Sequence, residues 1–557
     1  MLRRTRMAPT TCTATAVVFM LITATVVGAL RVTHHDVTNT SDSSPALELK
    51  QTLSLASISL HVDPVGGNDA FNGTVAWPFA SLRAAQLELR QRSRPHVGTA
   101  HVWLHGGTHQ VPQGGLRLGA EDSNVIYRAA EPNVVVSGGQ SVGGWKRNGS
   151  SMLWRAPLGP TNRTRQLYAF GTRARRASTA WRTEWTGYLE RLTPKGFLFR
   201  PGLPLEGWLD AEQLEFVWTG TTSVWTESRC GVGALTRMGN GSLEVTMKEP
   251  CWTNGVKKQQ HQNIHSPPTS VENSRSLLGG PGDWVHGADG FLYYWPRQGE
   301  DMANKPDISV PVEELLLGID GSHHVEWHGV TFEQSSWLYP SSGMGYIEIQ
   351  SGWLVGAAGT PGAIRVSAGR SLAFVGCTFR HLGASGLQVA NGSQQVNATS
   401  CVFDDISGHG LMLGQIDDGN ETSTAQQNAE LLVENNTIRR TPAEFHGCNG
   451  IWGGYMRSVS IRHNDIRNCY CSGQRILALS LSLSLSLSLS LSLRSKCVPL
   501  LHCGAGTHSA IAVGWGWRFS GYSSDNEVAR NRVVYGNTGC CGGAGVIYTV
   551  SNNYDMA

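Results

Sequence analysis

The sequence predicts an all-β protein, a right-handed parallel β-helix, on three observations. A short phrase with alternating apolar residues recurs along the chain, a second phrase follows most of its copies, and the 557 residues are glycine-rich and charge-poor. There are 66 Gly and 18 Trp, and charged residues make up only 16%. That mix excludes a disordered chain, which needs high charge and few aromatics, and it suits short strands joined by tight turns. The net charge is +3 with scattered basic residues, so nucleic acid is not an expected partner.

The repeat carries the fold. Its copies are Gly329-Val330-Thr331-Phe332, Gly376-Cys377-Thr378-Phe379, Ser400-Cys401-Val402-Phe403, Asn435-Asn436-Thr437-Ile438, His463-Asn464-Asp465-Ile466 and Arg530-Asn531-Arg532-Val533. Alternation of this kind predicts a strand with one face inside. The following phrase is Gly386-Leu387-Gln388-Val389, Gly410-Leu411-Met412-Leu413, Gly450-Ile451 or Ala510-Ile511-Ala512-Val513. Strand, turn and strand thus return at roughly 24 to 35 residues, with no helical period between them, which is the unit of a parallel solenoid. Stacking would place Asn436, Asn464 and Asn531 above one another, so that each buried amide bonds its neighbours and avoids the cost of an unpaired polar group. The plainer alternative is a β-sandwich with coincidental asparagines; the constant order of the paired phrases speaks against it.

One interval departs from the pattern. Asn464 and Asn531 are 67 residues apart, about two coils, and between them Leu477 to Leu493 is almost pure Leu-Ser alternation. As a strand this would be a long apolar ribbon with an open edge, an aggregation hazard. A pyrimidine dinucleotide repeat also reads as Leu-Ser. Removing the 36 residues Gly473 to His508 leaves an interval of 31, which predicts that 473–508 is translated intron sequence.

The N-terminus predicts entry to the secretory route. Arg3, Arg4 and Arg6 precede an apolar run from Ala14 to Leu30, the layout of a signal segment at 1–31. Val27-Gly28-Ala29 offers a cleavage site, while the run is nearly the ~20 residues of a single-pass anchor. Cleavage is favoured over a type II anchor; either way the membrane is met only here, and 32–57 forms a polar stem. Glycosylation sequons fall at Asn39, Asn72, Asn148, Asn162, Asn240, Asn391, Asn397, Asn420 and Asn435. Each is a short motif, but together they agree with an extracellular or secretory setting. Among the 12 Cys, the expected disulfide is Cys230–Cys251, and Cys540/Cys541 lie in similar loop-like surroundings. No CxxC pair recurs with His at zinc spacing, so no metal and no cofactor are expected.

Along the chain, Leu60-His61-Val62-Asp63-Pro64, Gly67-Asn68-Asp69 and Trp77-Pro78-Phe79-Ala80-Ser81-Leu82 look like the opening of secreted β-helix proteins. There a strand precedes a capping helix, with Ser81 as N-cap and Ala84 to Arg92 helical. Further on come Val102-Trp103-Leu104, Tyr127-Arg128-Ala129, Val136-Ser137-Gly138-Gly139, Gly144-Trp145, Arg165-Gln166-Leu167-Tyr168, Gly282-Asp283-Trp284, Leu292-Tyr293-Tyr294-Trp295-Pro296 and Gly514-Trp515-Gly516-Trp517. As an ordered series from about 58 to 550 these resemble the pectin-lyase-like right-handed β-helix family that includes glycoside hydrolase family 141, with fucosidase and xylanase members. The resemblance implies N-terminal coils over 58–180, central repeats over 264–472 and further coils over 509–557. Residues 181–263, Trp-rich with Trp208, Trp218, Trp225 and Trp252, break the repeat and are expected to form an inserted β-subdomain. Two departures from the family matter. Gly543-Ala544-Gly545-Val546-Ile547-Tyr548 stands where an Asp-Gly-Gly-x-Ile-Tyr phrase is usual, and the chain stops at Ala557 where more coils are expected.

Glycoside hydrolysis uses two carboxyl groups flanking the bond. Asp404, Asp405, Glu444 and Asp465 lie at turns beside the repeats, and Glu444 and Asp405 are the candidate catalytic pair. The plainer reading of each is a solvated turn carboxylate. Gly408-His409-Gly410 is similar to a polygalacturonase phrase but too close to Asp404-Asp405 to match that family's spacing. His409 and His446 are expected to be neighbours on adjacent coils, able to bond a sugar or tune a carboxylate; a structural turn histidine is the alternative. Trp515 and Trp517, two apart and framed by glycine, would share one strand face and stack on sugar rings or else pack in the core. The expected protein is a monomeric, secreted or membrane-tethered glycosidase whose partner is a polysaccharide or glycan chain. An inactive glycan-binding protein is the alternative, and a polysaccharide lyase ranks third.

Overall fold

The computed structural model describes residues 57–92, 98–159, 163–181, 183–219, 226–257, 264, 266–356, 359–467, 510–513, 522–534, 547–549 and 554–556. Three parallel sheets dominate them. The first has ten strands, from Ser59–Val62 through His323–His328, Gln394–Thr399 and Ser460–Arg462 to Tyr554–Met556. The second and third have eight each, running from Gly107–Gln110 to Arg532–Val534 and from Leu116–Leu118 to Ile547–Thr549. Each rung visits the sheets in the same order, so every strand pairs with its counterparts one turn before and after. The result is a parallel β-helix.

The recurring phrase turns out to be a corner. Gly329, Gly376, Ser400, Asn435, His463 and Arg530 all have φ between 54 and 68°, the left-handed conformation that turns the chain from the first sheet into the second. The next residue points inward, and the strand begins after it. In successive rungs that inward residue is Val330, Cys377, Cys401, Asn436, Asn464 and Asn531. Asn436 donates to Asn464 Oδ1 (2.9 Å), and Asn464 to Asn531 Oδ1 (2.9 Å). Each of these side chains also reaches back to the carbonyl two residues before the previous rung's corner residue. Asn436 meets Ala398, Asn464 meets Val433 and Asn531 meets Ile461. The thiols of Cys377 and Cys401 make the same contact, to Trp327 and Phe374 (3.3 Å each). The column is thus one continuous polar ladder that begins in sulfur and ends in amide.

Between the sheets lies the main apolar core, in which Phe332, Phe379 and Phe403 stack at 5.4 and 4.6 Å. At its first edge, helix α1 (Leu82–Gln91) buries Leu82, Ala85 and Leu89 in the same core. Ser81 caps it by accepting the Ala84 amide (3.1 Å).

Among the described residues no strand between Ser137 and Leu317 joins the three coil sheets. The excursion is therefore wider than the 181–263 expected, and residues 139–180 form strands of smaller separate sheets rather than coils. The chain leaves at Gly138-Gly139, where a Cβ on Gly139 would lie 1.7 Å from Gln334 Oε1. A second core of Phe197, Phe199, Phe216, Trp218 and Trp252 fills this part, and Cys230 is joined to Cys251 within it, with Cα atoms 5.8 Å apart. Trp208 is partly buried against the same core; Trp225 lies outside the described residues.

Across the Leu-Ser interval, Ile451 and Trp452 pair directly with Ile511 and Ala512, and Asp465 pairs with Arg532. The two flanking rungs are neighbours. Residues 468–509 lie outside the described residues, as do residues 1–56, where the signal segment and most of the stem are expected, and Cys540, Cys541 and Gly543. Among the described residues no helix is long and apolar enough to cross a membrane.

Candidate active site

The carboxylates of the coil meet cations supplied by the excursion. At the end of the second sheet each rung again carries a left-handed residue: Gln334, His381, Asp405 and Arg440 have φ of 61, 56, 55 and 52°. This column sets Asp405 one rung above His381. The next rung turns back over it, with the amides of Ala443 and Glu444 donating to the carbonyls of Ile406 (2.7 Å) and Ser407 (3.1 Å). Asp405 and Glu444 are thereby brought to one corner.

Against this corner lies a hairpin from the excursion. Tyr168–Ala169 pairs antiparallel with Thr172–Arg173, through a turn in which Phe170 and Gly171 have φ of 50 and 67°, the two-residue geometry of a tight hairpin. Tyr168 and Arg173 are direct cross-strand partners, with the guanidinium 5.3 Å from the ring centroid. Arg173 Nε donates to Asp405 Oδ1 (2.8 Å) and Nη1 to Ser407 Oγ (3.1 Å). Tyr168 also stacks on His381 at 4.5 Å, and His381 Nε2 lies 3.7 Å from Asp405 Oδ2.

Just upstream, Arg165 Nη2 and Nε donate to Glu444 Oε1 (2.6 and 3.1 Å), and Gln166 Nε2 donates to Oε2 (2.8 Å). Arg165 Nη1 donates to both oxygens of Glu215 (2.9 Å each) and to Ser341 Oγ (2.6 Å). Arg176 closes the far side of Glu215 (2.9 and 3.1 Å). Arg229, next to the disulfide, donates to the Glu444 carbonyl (3.2 Å) and to Glu272 (2.8 Å). The Arg165 side chain is fully enclosed, whereas Glu444 keeps 14% of its surface and Asp405 10%. Glu444 is thus the more open end of its pair with Arg165, whereas Arg173 keeps 18% of its side-chain surface and is more exposed than Asp405.

Electrostatics follow from this placement. Burial pushes the Glu444 carboxyl up, but Arg165 and Arg229 outweigh it and hold the group at about 2. Burial brings His381 down to about 4, only partly offset by Asp405, and raises the Tyr168 phenol against the pull of Arg173. At neutral pH the corner holds an ionised Glu444, a neutral imidazole and a neutral phenol. Gln166 Oε1, Tyr168 OH, His381 Nδ1 and Asp405 Oδ2 are buried without a hydrogen-bond partner. Such atoms are uncommon in folded proteins, and a bound ligand or water is a usual explanation.

The other expected site residues fare differently. His409 is buried in the corner itself: its Nδ1 accepts the Asn449 amide (2.9 Å) and its Nε2 meets the Ser351 carbonyl (3.1 Å). Burial lowers it to about 3. No face of it is left for a sugar, and its neighbour on the next rung is Asn449, not His446. His446 instead keeps 20% of its side-chain surface, with Nε2 3.8 Å from Glu227 and its pKa lowered by burial. Asp404 is held by Arg440 (2.6 Å) and Arg439 (3.0 Å), and Asp465 by Arg467 (2.8 Å); both lie on the outer face of the second sheet. Trp515 and Trp517 lie outside the described residues, as does Asn162. Asn72, Asn240, Asn391, Asn420 and Asn435 are exposed, while Asn148 and Asn397 are half-buried. Among the described residues no group of three or more His, Cys, Asp or Glu is arranged to hold a metal.

Arg165, Gln166, Tyr168, Arg173 and His381 were not expected here. Arg165-Gln166-Leu167-Tyr168 stood out in the sequence only as a family phrase, and its position 279 residues from Glu444 hid its role.

No family model and no curated protein matches the chain. Among solved structures, one described as a glycoside hydrolase superposes on 90% of this chain and 88% of its own, with TM-score 0.70 and 22% identity. It shares this fold. A xylose complex of XylC aligns over 90% of this chain and 65% of its own, with TM-score 0.43 and 11% identity. A lacto-N-biosidase of family GH136 from Eubacterium ramulus aligns over 90% and 67%, with TM-score 0.31 and 9% identity.

Proposed function

We propose that the protein is a secreted or membrane-tethered β-helix glycosidase acting on polysaccharide or glycan chains, with Glu444 and Asp405 as its carboxyl pair. The observation that carries this is the meeting of the two carboxylates at one corner, each paired with an arginine, Arg165 or Arg173, beside four buried polar atoms without partners. Two of those atoms, Gln166 Oε1 and Asp405 Oδ2, accept hydrogen bonds; the Tyr168 hydroxyl donates, and a neutral His381 can do either. A ligand that matches both kinds carries several neighbouring hydroxyls, as a sugar does. Glu444, ionised and held by two donors, suits the base or nucleophile of glycoside hydrolysis, with Asp405 as the second carboxyl group of the pair. Likeness of fold to a glycoside hydrolase agrees with this but does not decide it, since one fold hosts many functions.

A second reading is a glycan-binding protein without turnover. It is favoured by the arginine on each carboxylate, an arrangement that structural ion pairs also adopt. The two are separated by release of reducing ends from a panel of neutral and acidic polysaccharides. The glycosidase reading expects release by the wild type and none by Glu444→Gln. Binding without release by either protein supports the second reading, and neither binding nor release contradicts both.

A further inference from the structure

The loop before helix α1 is tied down by its own hydrogen bonds, yet it presents bare apolar surface. Asp63 Oδ1 accepts the amides of Val65 (2.9 Å) and Gly66 (3.0 Å). Asp69 accepts those of Ala80 and Ser81 (2.8 Å each) and the Ser81 hydroxyl (2.7 Å). Between them a small hairpin closes, with Gly73 N donating to the Trp77 carbonyl (2.9 Å) and Trp77 N to the Thr74 carbonyl (3.1 Å). Gly73 has φ +76°, and a Cβ there would lie 2.3 Å from Phe79 Cε2, so this turn admits glycine alone. On this loop Val65, Val75 and Trp77 are 84, 68 and 57% exposed, and Phe71 meets Trp77 edge-on at 5.0 Å. A fixed, exposed aromatic cluster usually has something to cover it.

The hairpin also holds the triplet Asn72-Gly73-Thr74. Asn72 Oδ1 accepts the Thr74 amide (3.2 Å) and hydroxyl (2.9 Å), while Asn72 Nδ2 makes no hydrogen bond among the described residues. Four other described triplets differ from it. Asn391 Nδ2 is tied to Ser367 Oγ (3.2 Å) and Asn435 Nδ2 to Ser400 Oγ (3.1 Å). Asn397 lies within a strand paired on both sides. Asn240 has a similar turn, Oδ1 accepting the Ser242 amide (3.0 Å), but no aromatic residue on it.

We propose that Asn72 carries an N-linked glycan whose first N-acetylhexosamine lies on the apolar surface of Trp77 and Phe71. In the transfer, Asn72 Nδ2 forms a bond to C1 of a lipid-diphosphate-linked oligosaccharide as the C1–O bond breaks. The lipid diphosphate leaves, and Nδ2 gives up one proton. The sugar's C–H face then covers the indole, a contact that aromatic faces favour, and the engaged Oδ1 fixes the direction in which the glycan departs. The inference rests on the secretory route proposed above.

It is tested by expressing the full chain in mammalian cells and mapping glycopeptides after enzymatic deglycosylation in heavy-oxygen water. Thermal unfolding is then compared for wild type and Trp77→Ala, each with and without glycans, with Asn72→Asp as control for the deamidated product. The expected result is an occupied Asn72, and a fall in Tm of about 1–3 °C on deglycosylation that Trp77→Ala abolishes. A chain that never enters the secretory route overturns both that reading and this inference. Glycans at other triplets with Asn72 bare overturn this inference alone, as does an equal fall in Tm with and without Trp77.

Discussion

Asn464 donates its side-chain amide to Asn531 across 2.9 Å, although 67 positions separate the two. In the rungs just before, the same contact joins Asn436 to Asn464 across an interval of 28. A coil that closes after 28 residues and one that closes after 67 cannot both be set by the core, which is the same at both. The surplus lies between Arg467 and Ala510, where the Leu-Ser run falls. We therefore expect the chain lacking Gly473 to His508 to fold with an unchanged or higher Tm and less aggregation. Failure of that shortened chain to fold contradicts the prediction, and a transcript that retains the repeat contradicts the intron reading behind it.

The ladder ranks its own members. Asn464 accepts two bonds from Asn436 and makes two to Asn531 and one to Val433. Asn464→Ala leaves several buried groups unpartnered and is expected to cost about 2–4 kcal/mol. Cys377→Val places the side chain found one rung earlier, at Val330, and is expected to cost about 1.5 kcal/mol or less. Urea unfolding of both variants checks the order.

Arg165 lies between Glu444 and Glu215. Arg165→Met leaves two enclosed carboxylates without their main partner and is expected to cost about 3–5 kcal/mol at neutral pH. Glu444 falls from an ordinary 4.5 to about 2 on folding. Its contribution is therefore present above pH 4.5 and lost as pH falls towards 2. In the variant that acid-side loss should flatten, as read from Tm against pH; an unchanged slope contradicts the assignment.

Two buried histidines act in a higher window. Folding lowers His381 from 6.5 to about 4 and His409 from 6.5 to about 3. Below pH 6.5 the unfolded chain binds protons that the folded chain refuses, so stability is full above 6.5 and declines as pH falls through this range. His409→Gln keeps an amide able to meet Asn449 and Ser351, and is expected to flatten the decline without changing glycan binding. A loss of binding in this variant restores His409 to the site.

The coil was legible because its signals are local and repeated: Asn436, Asn464 and Asn531 each sit beside an apolar strand residue at the same offset. The corner carboxylates Asp405 and Glu444 were legible for the same reason. Their partners were not. Arg165, Tyr168 and Arg173 come from an excursion whose first residues alternate like coil strands, so nothing in the phrase Arg165-Gln166-Leu167-Tyr168 marks where it folds back. His409 misled because a Gly-His-Gly turn looks the same whether its imidazole faces water or bonds two backbone groups.

The account's central claim is that Asp405 and Glu444 act as one unit on one glycosidic bond. It is tested most directly by single-turnover rates, on the glycan that the panel identifies, for Asp405→Asn, Glu444→Gln and the double variant at matched foldedness. The account predicts that each single variant slows cleavage by about 10²–10⁴-fold. It also predicts that the double variant is little slower than the worse single one, as for residues that share one step. Near-wild-type rates in either single variant, or losses that simply multiply, would contradict it.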